Sequence, residues 1–214
     1  MFAERDSSED EEGSLFTRRL RFMTPAPGDA DELTALADNP RIAANLSMMP
    51  HPYRRADAEA WIAQCATLGE GAAAFLVREH GGRLVGGVGY GLRDDNGEPD
   101  IGSWIGEPFW GQGYGTEAAQ GLIDHVFLMR RPRAVWAACR PTNAAARRVM
   151  ARCGFQWAGN GLKRSRALGG MISVEHYRLD IECWRAIKAW GRYSWRIESR
   201  RGDAPAVRET GERP

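Results

Sequence analysis

Three glycines, Gly111, Gly113 and Gly115, alternate with Gln112 and Tyr114 directly ahead of a helical pattern. From Gly115 onward Ala118, Ala119, Leu122, Ile123, Val126 and Phe127 recur at three- and four-residue intervals, while Glu117, Gln120, Asp124 and His125 fall on the other side. That spacing predicts an amphipathic helix. A strand pattern precedes it at residues 100–106, and a second one, "AVWAAC", follows at 134–139. Strand, glycine loop, helix and strand in that order make a parallel β-α-β step, so the chain must build a mixed α/β sheet around it.

Helix starts usually carry Ser, Thr, Asp or Asn as a cap, and the glycines replace one here. Four kinds of loop use bare backbone before a helix. A Walker A loop needs Gly-Lys-Ser or Gly-Lys-Thr, which the sequence lacks. A dinucleotide fingerprint would place a glycine where Thr116 stands, would follow its strand directly, and would leave Arg140 to meet a 2′-phosphate. A plain tight turn needs glycine only for φ > 0. A pyrophosphate cradle uses the absent side chains to bring the amides of residues 112–116 to an anion, helped by about half a positive charge at the helix N-terminus. No Lys or Arg stands in the loop.

The rest of the chain reads as elements around this step. "TRRLRFMT" alternates like a strand around Leu20 and Phe22, and residues 28–38 read as a helix with Asp29 and Glu32 as a capping box. Pro40 breaks the chain. "NLSMMPHPYRR" carries two prolines around His51 and excludes regular helix. Ala58, Trp61, Ile62, Cys65 and Leu68 form another helical stripe, stopped by Gly69 and Gly71. "AAFLVREH" and "RLVGGVGYGLR" read as a hairpin turning at His80, Gly81 and Gly82. After 134–139 come a helix with Ala146, Val149, Met150 and Cys153 on one face, Gly154 as its stop, and strands near Phe155 and over 172–180.

With 214 residues and a hydrophobic fraction of 43%, the chain suits one domain. Its net charge of +1 gives no general pull toward nucleic acid or anionic lipid. No apolar run approaches the roughly 20 residues of a spanning helix, and the acidic first residues lack a signal-peptide core, so the protein is expected to be cytoplasmic. Cys65, Cys139, Cys153 and Cys183 are scattered without metal-ligand spacing, so reduced thiols and no metal are expected. Arg185, Lys188, Arg192, Arg196, Arg200 and Arg201, interleaved with Trp190, Tyr193 and Trp195, fit either a nucleic-acid-binding tail or a helix that packs its aromatics and then frays. The helix is the preferred reading and nucleic acid is not the expected partner.

"WGQGYGTEA" resembles the cofactor loop of the GNAT superfamily of acyl-CoA N-acyltransferases. "DIGSWIGEPFWGQGYGTEAAQGL" followed by "AVWAACRPTNAAARRVMARCGF" is similar to the branch that acetylates ribosomal-protein N-termini, and "TRRLRF", "PGDADELTAL" and "MPHPYRRADAEAWI" look like that branch's first strand and acceptor-side helices. The resemblance implies a central, mostly antiparallel sheet with helices on both faces, in which parallel strands four (100–106) and five (134–139) splay apart. It implies one domain over residues 15–183, after a disordered acidic leader at 1–14, and a C-terminal helix fraying into a basic tail over 184–214. A monomer or a homodimer is expected.

Acetyl-CoA is the co-substrate that the resemblance implies. Trp104, Ile105 and Gly106 would pair with the pantetheine arm, and Gly111, Gln112, Gly113, Tyr114, Gly115 and Thr116 would take the pyrophosphate. Asn143 matches the family's Asn near the pantetheine, and also suits a helix cap. The acceptor amine, on a protein N-terminus or a small molecule, would meet His51, Tyr53 and Ser103. Asp100 stands where the branch often has Glu and is the first candidate for a base acting through water, with a strand-end turn residue as the structural alternative; Glu98, His51 and Glu175 follow. The branch commonly has Ser at the position of Ala146, and many members have Tyr at Met150, so both usual proton donors to the thiolate are missing. An α-amine near pKa 8 is about a tenth neutral at pH 7, whereas a lysine near 10.4 is neutral about once in several thousand molecules, which favours an α-amine for a modest base. The alternatives are an acyl-CoA-binding scaffold without much catalysis and a nucleic-acid-associated protein using the Arg-rich tail.

Overall fold

The computed structural model describes residues 15–189. Eight strands form one sheet: β1 (Leu15–Phe16), β2 (Leu20–Met23), β3 (Ala73–Glu79), β4 (Leu84–Leu92), β5 (Pro99–Ile105), β6 (Ala134–Cys139), β7 (Gln156–Ser165) and β8 (Gly170–Asp180), in the order β1-β2-β3-β4-β5-β6-β8-β7. Every neighbouring pair is antiparallel except β5 and β6. These two pair only at Asp100↔Trp136 and Ile101↔Ala137. Beyond that rung the two strands continue without pairing to each other, each still paired to its outer neighbour, and the sheet opens into a V.

Helices α1 (Ala30–Ala37), α2 (Pro40–Ala43) and α3 (Arg55–Ala66) lie on one face; α4 (Tyr114–Arg130), α5 (Ala144–Arg152) and α6 (Ile181–Ala189) lie on the other. Alternation along the strands sends side chains to the two faces in turn. Leu76 and Leu84 pack with Leu33, Ala58 and Ile62, whereas Phe22, Val77, Val85, Val135 and Leu179 pack with Leu122, Val126 and Phe127 of α4.

Two sequence expectations about the first helices are corrected. Asp29 and Glu32 form no capping box: a 3-10 turn over Pro27–Asp29 starts the helix earlier, and Asp29 accepts from the Ala26 amide at 2.8 Å. Both carboxylates instead bind Arg78, and Glu32 also accepts from the Leu84 amide at 3.0 Å, which pins α1 to the β3–β4 hairpin. Pro40 does not merely break the chain. It opens α2, capped by Asn39 Oδ1 accepting from the Arg41 amide.

The polar side of α4 is not solvated. Glu117, Gln120 and Asp124 are buried, because the β1–β2 turn covers one end of the helix and α6 covers the other. Trp184 of α6 stacks on Phe127 with ring centroids 4.9 Å apart. The C-terminal helix thus starts at Ile181, three residues before its expected position, and packs on the body. Residues 1–14, Trp190, Tyr193, Trp195 and the arginines beyond lie outside the described residues. Among those described, no helix is long and apolar enough to cross a membrane.

Candidate active site

The V between β5 and β6 opens into a cleft of about 830 Å³, within the range of roughly 300–1,000 Å³ that small-molecule sites occupy. Its walls are β5, the glycine loop, the first turn of α4, the end of β6, α5 and the inner face of β7 and β8.

The glycine loop delivers bare amides to the mouth of the cleft. Gly111 (φ 76°) and Gly113 (φ 83°) hold left-handed backbone that other residues adopt only under strain. Gly113 is the N-cap of α4 and no side chain caps it. The amides of residues 112–116 therefore have no acceptor among the described residues, as the first turn of a helix leaves them. Gly115 does not need positive φ, and a Cβ there would sit 3.6 Å from Ile105 and 3.7 Å from Val149.

The absence of local cations in the sequence is made good by distant ones. Arg19 reaches over from the β1–β2 turn, donating through Nη1 to the Gln112 carbonyl at 3.0 Å and lying over the Tyr114 ring at 4.3 Å. Its Nε donates to the buried Glu117 carboxylate at 2.6 Å, which also accepts from Thr17 Oγ1 at 2.7 Å and from the Arg19 amide at 2.8 Å. Arg148 and Arg152 of α5 line the cleft as well, and Arg152 borders Gln120 of α4. Gln112 turns its side chain back to the Pro108 carbonyl at 2.9 Å. Tyr114 gives its hydroxyl to Glu79, which holds Arg83 at 2.8 Å.

Along β5 the backbone groups alternate in direction. The Gly106 amide donates to the Val85 carbonyl at 2.9 Å, and the Trp104 carbonyl lies against Gly86, so both residues spend these groups on β4. The Ile105 carbonyl points to the other side, where the Trp110 indole donates to it at 2.6 Å. The groups free to meet an extended ligand in the V are those of Ser103 and the Ile105 amide. This revises the expectation that Trp104 and Gly106 pair with the pantetheine arm. Gly106 has a packing role, since a Cβ there would come within 2.3 Å of Leu36.

Side-chain alternation sorts the remaining residues by face. Ile101 belongs to the α4 core and Trp104 packs against the α1–α3 core. Asp100 and Gly102 thus share the face of Trp104, and Ser103 shares that of Ile101. Asp100 lines the cleft at the closed end of the V, and one of its oxygens, Oδ2, accepts from Lys163 Nζ at 2.9 Å. A Cβ at Gly102 would meet nothing within 4 Å. Asn143 Oδ1 caps α5 through the Ala146 amide at 3.1 Å, and its Nδ2 has no partner among the described residues. Ala146 and Met150 line the cleft; the hydroxyls that do so belong to Ser47, Ser103, Tyr114, Thr116 and Thr142.

The acceptor residues expected around the double proline are placed elsewhere. Tyr53 is buried in the α1–α3 core, and burial pushes its hydroxyl pKa up to about 12. His51 lies 3.3 Å from Asp38, and neither it nor Tyr53 lines the cleft. Ser103 lines it from the α4 face, away from Asp100. On the Asp100 face the wall is built from Ile42 of α2 and from Asn45, Leu46 and Ser47 after it. Arg140 Nη1 donates to the Ala44 carbonyl at 2.9 Å, and the Arg166 amide donates to the Ser47 carbonyl at 2.9 Å, so this segment bridges both to the end of β6 and to the β7–β8 turn. Of the other carboxylates considered as bases, Glu98 binds the Trp136 indole, and Glu175 accepts from Tyr177 at 2.7 Å with Arg147 at 3.3 Å. No group of three or more potential metal-ligating side chains occurs among the described residues.

A gap between two parallel strands, with unpartnered amides at a helix start beside it, is the arrangement that the resemblance to acyl-CoA acyltransferases leads one to expect. The family model of the acetyltransferase (GNAT) domain matches residues 19–156, more than half of the chain. The chain belongs to this family and is an acetyl-CoA-dependent N-acetyltransferase. An N-acetyltransferase of uncharacterised role from Bacillus licheniformis, p20, is 25% identical over 169 residues, covering 78% of this chain and 95% of its own. Among solved structures, the microcin C7 self-immunity acetyltransferase MccE with acetyl-CoA and AMP superposes with a TM-score of 0.67 at 21% identity, covering 77% of this chain and 93% of that one. RimL, the ribosomal L7/L12 α-N-protein acetyltransferase with coenzyme A, gives 0.68 at 20% identity, covering 79% and 99%.

Proposed function

We propose that this cleft transfers an acetyl group to a primary amine by direct attack, with both substrates bound together and approaching from opposite faces of the sheet. The observation that carries the reading is the joint position of two features: unpartnered amides of residues 112–116 at the mouth of the V, and Asp100 at its closed end on the face opposite α4 and α5. The pyrophosphate of acetyl-CoA would meet those amides, with Arg19, Arg148 and Arg152 around them. Its pantetheine arm would pair with Ser103 and the Ile105 amide, beside Asn143.

Acetyl-CoA supplies an acyl group activated as a thioester. The chain's own work is to hold that carbonyl beside a preset amide donor, which stabilises developing charge, and to take a proton from the amine. Asp100 can do the latter through water: Lys163 fixes Oδ2 and leaves Oδ1 to the cleft. A water-mediated carboxylate suits an amine that is already partly neutral, and a protein or peptide α-amine meets that condition better than lysine by roughly 3 kcal/mol. RimL, which is similar in fold and is by its name an α-N-protein acetyltransferase of ribosomal L7/L12, agrees with an acceptor of this kind. The test is thiol release from acetyl-CoA in the presence of a panel of peptides with free N-termini, matched lysine peptides with blocked N-termini, and small amines. Release with α-amines in preference to lysines is expected. Release with none of them would refute the reading.

A further inference from the structure

Six charged side chains line the cleft: Arg41, Asp100, Arg140, Arg148, Arg152 and Lys163. Arg41 is held by Glu107, and Lys163 by Asp100. Arg148 and Arg152 belong to the α5 wall, on the side of α4 and the glycine loop. That leaves Arg140. It follows Cys139, whose side chain is in the α4 core, so Arg140 points to the opposite face, that of Asp100. Its guanidinium has no carboxylate within 4.0 Å among the described residues, and its one protein hydrogen bond is the Nη1 bond to Ala44.

A half-buried guanidinium that leaves four of its N–H donors without protein partners is costly unless a ligand or water meets it. The Ala44 bond holds the planar fork in place, and such a fork matches the two oxygens of a carboxylate or phosphate. The β6–β8 register, extended one residue past Cys139↔Glu175, sets Arg140 opposite Val174, which pairs with Gly161 of β7. Lys163 of β7, on the far side of β8, pairs with Ile172, so it is offset from Arg140 by roughly 7 Å along the strands and by two strand spacings, about 10 Å, across them. Arg140 and Lys163 therefore flank one stretch of the acceptor wall whose sole lining acid is Asp100.

We propose that Arg140 recognises an anionic group, a carboxylate or a phosphate, carried by the acceptor near its reacting amine. This rests on the acetyl-transfer reading of the cleft and adds the acceptor's charge to it. The experiment is calorimetric titration of the CoA-saturated protein with ethanolamine, β-alanine and O-phosphoethanolamine, for wild type, Arg140→Gln and Arg140→Lys, with thiol release from acetyl-CoA measured for the same amines. Gln keeps a donor for the Ala44 carbonyl, and Lys keeps the charge without the fork. Wild type should bind at least one anionic amine about tenfold or more tighter than ethanolamine, the scale of one charge-assisted hydrogen bond. The ratio should fall near one in Arg140→Gln and be partly kept in Arg140→Lys. Preference for β-alanine assigns a carboxylate, and preference for O-phosphoethanolamine a phosphate. A ratio near one in wild type, or an undiminished ratio in Arg140→Gln, overturns the proposal. Thiol release judges acetyl transfer separately, because the binding ratio is read without turnover.

Discussion

Asp100 has one oxygen committed to Lys163 and the other open to the cleft, and this division defines what its amide can and cannot replace. Asp100→Asn keeps an oxygen for Lys163 but cannot take a proton. We expect kcat/KM to fall about a hundredfold, the usual worth of a positioned base, with CoA affinity unchanged. An unchanged kcat/KM in the folded variant would exclude Asp100 as the base. Ala146 carries the complementary expectation, since it lines the cleft from the helix whose cap is Asn143. Ala146→Ser would offer a hydroxyl to the departing thiolate, at a helix-propensity cost of about half a kcal/mol. A several-fold rise in the single-turnover rate is expected. A flat rate with normal CoA binding would show that the proton already comes from another group, and Ser103, on the same side of β5, is then the first to replace.

At the scale of elements, α4 connects the site to the C-terminal helix. Its buried Asp124 accepts from the Trp184 indole at 2.8 Å and pairs with Lys188, which fastens α6 across the helix. Asp124→Ala leaves the indole without its acceptor and should lower stability in urea by about 2 kcal/mol; Asp124→Asn, which keeps an acceptor, should cost less. Burial raises the Asp124 carboxyl above its usual range despite the attraction of Lys188. A carboxyl whose folded-state pKa is raised binds its proton more tightly when folded. Its contribution to stability therefore declines as pH climbs from the unfolded value, roughly 3.9, through the folded one. Wild type should lose stability relative to Asp124→Asn as pH rises from about 4 upward. A gain over that window would mean that the ion pair outweighs desolvation. The elements themselves were legible in the sequence where periodicity or glycine speaks: the hairpin at His80–Gly82, α4, and the α5 stripe ended by Gly154. The burial of Glu117 and Asp124 was not, because the residues that cover them, Thr17, Arg19, Trp184 and Lys188, lie about 60 to 100 positions away along the chain.

Across the whole molecule, the proposed reading gives the two faces of the sheet to the two substrates and lets them meet in the V. The glycine loop announced itself locally, because its chemistry lies in consecutive amides. The cations of the cleft did not: Arg19 is 93 residues from the loop carbonyl it binds, and Lys163, at the closed end, is 63 from Asp100. Tyr53 and His51 lie away from the cleft. The resemblance implied an acceptor role for both, yet the tyrosine is buried in the α1–α3 core, and the neighbouring Asn45, Leu46 and Ser47 line the cleft. The claim on which the rest depends is that the amides of residues 112–116 hold the pyrophosphate, and Gly113→Val tests it most directly. The variant places a branched side chain at φ 83° where the anion would approach, with only Arg19 Nη2, 3.4 Å away, beside the added Cβ. Titration calorimetry with CoA should show wild-type binding and at least a hundredfold weaker binding by Gly113→Val, with far-ultraviolet circular dichroism unchanged. Equal affinity in the folded variant would contradict the account.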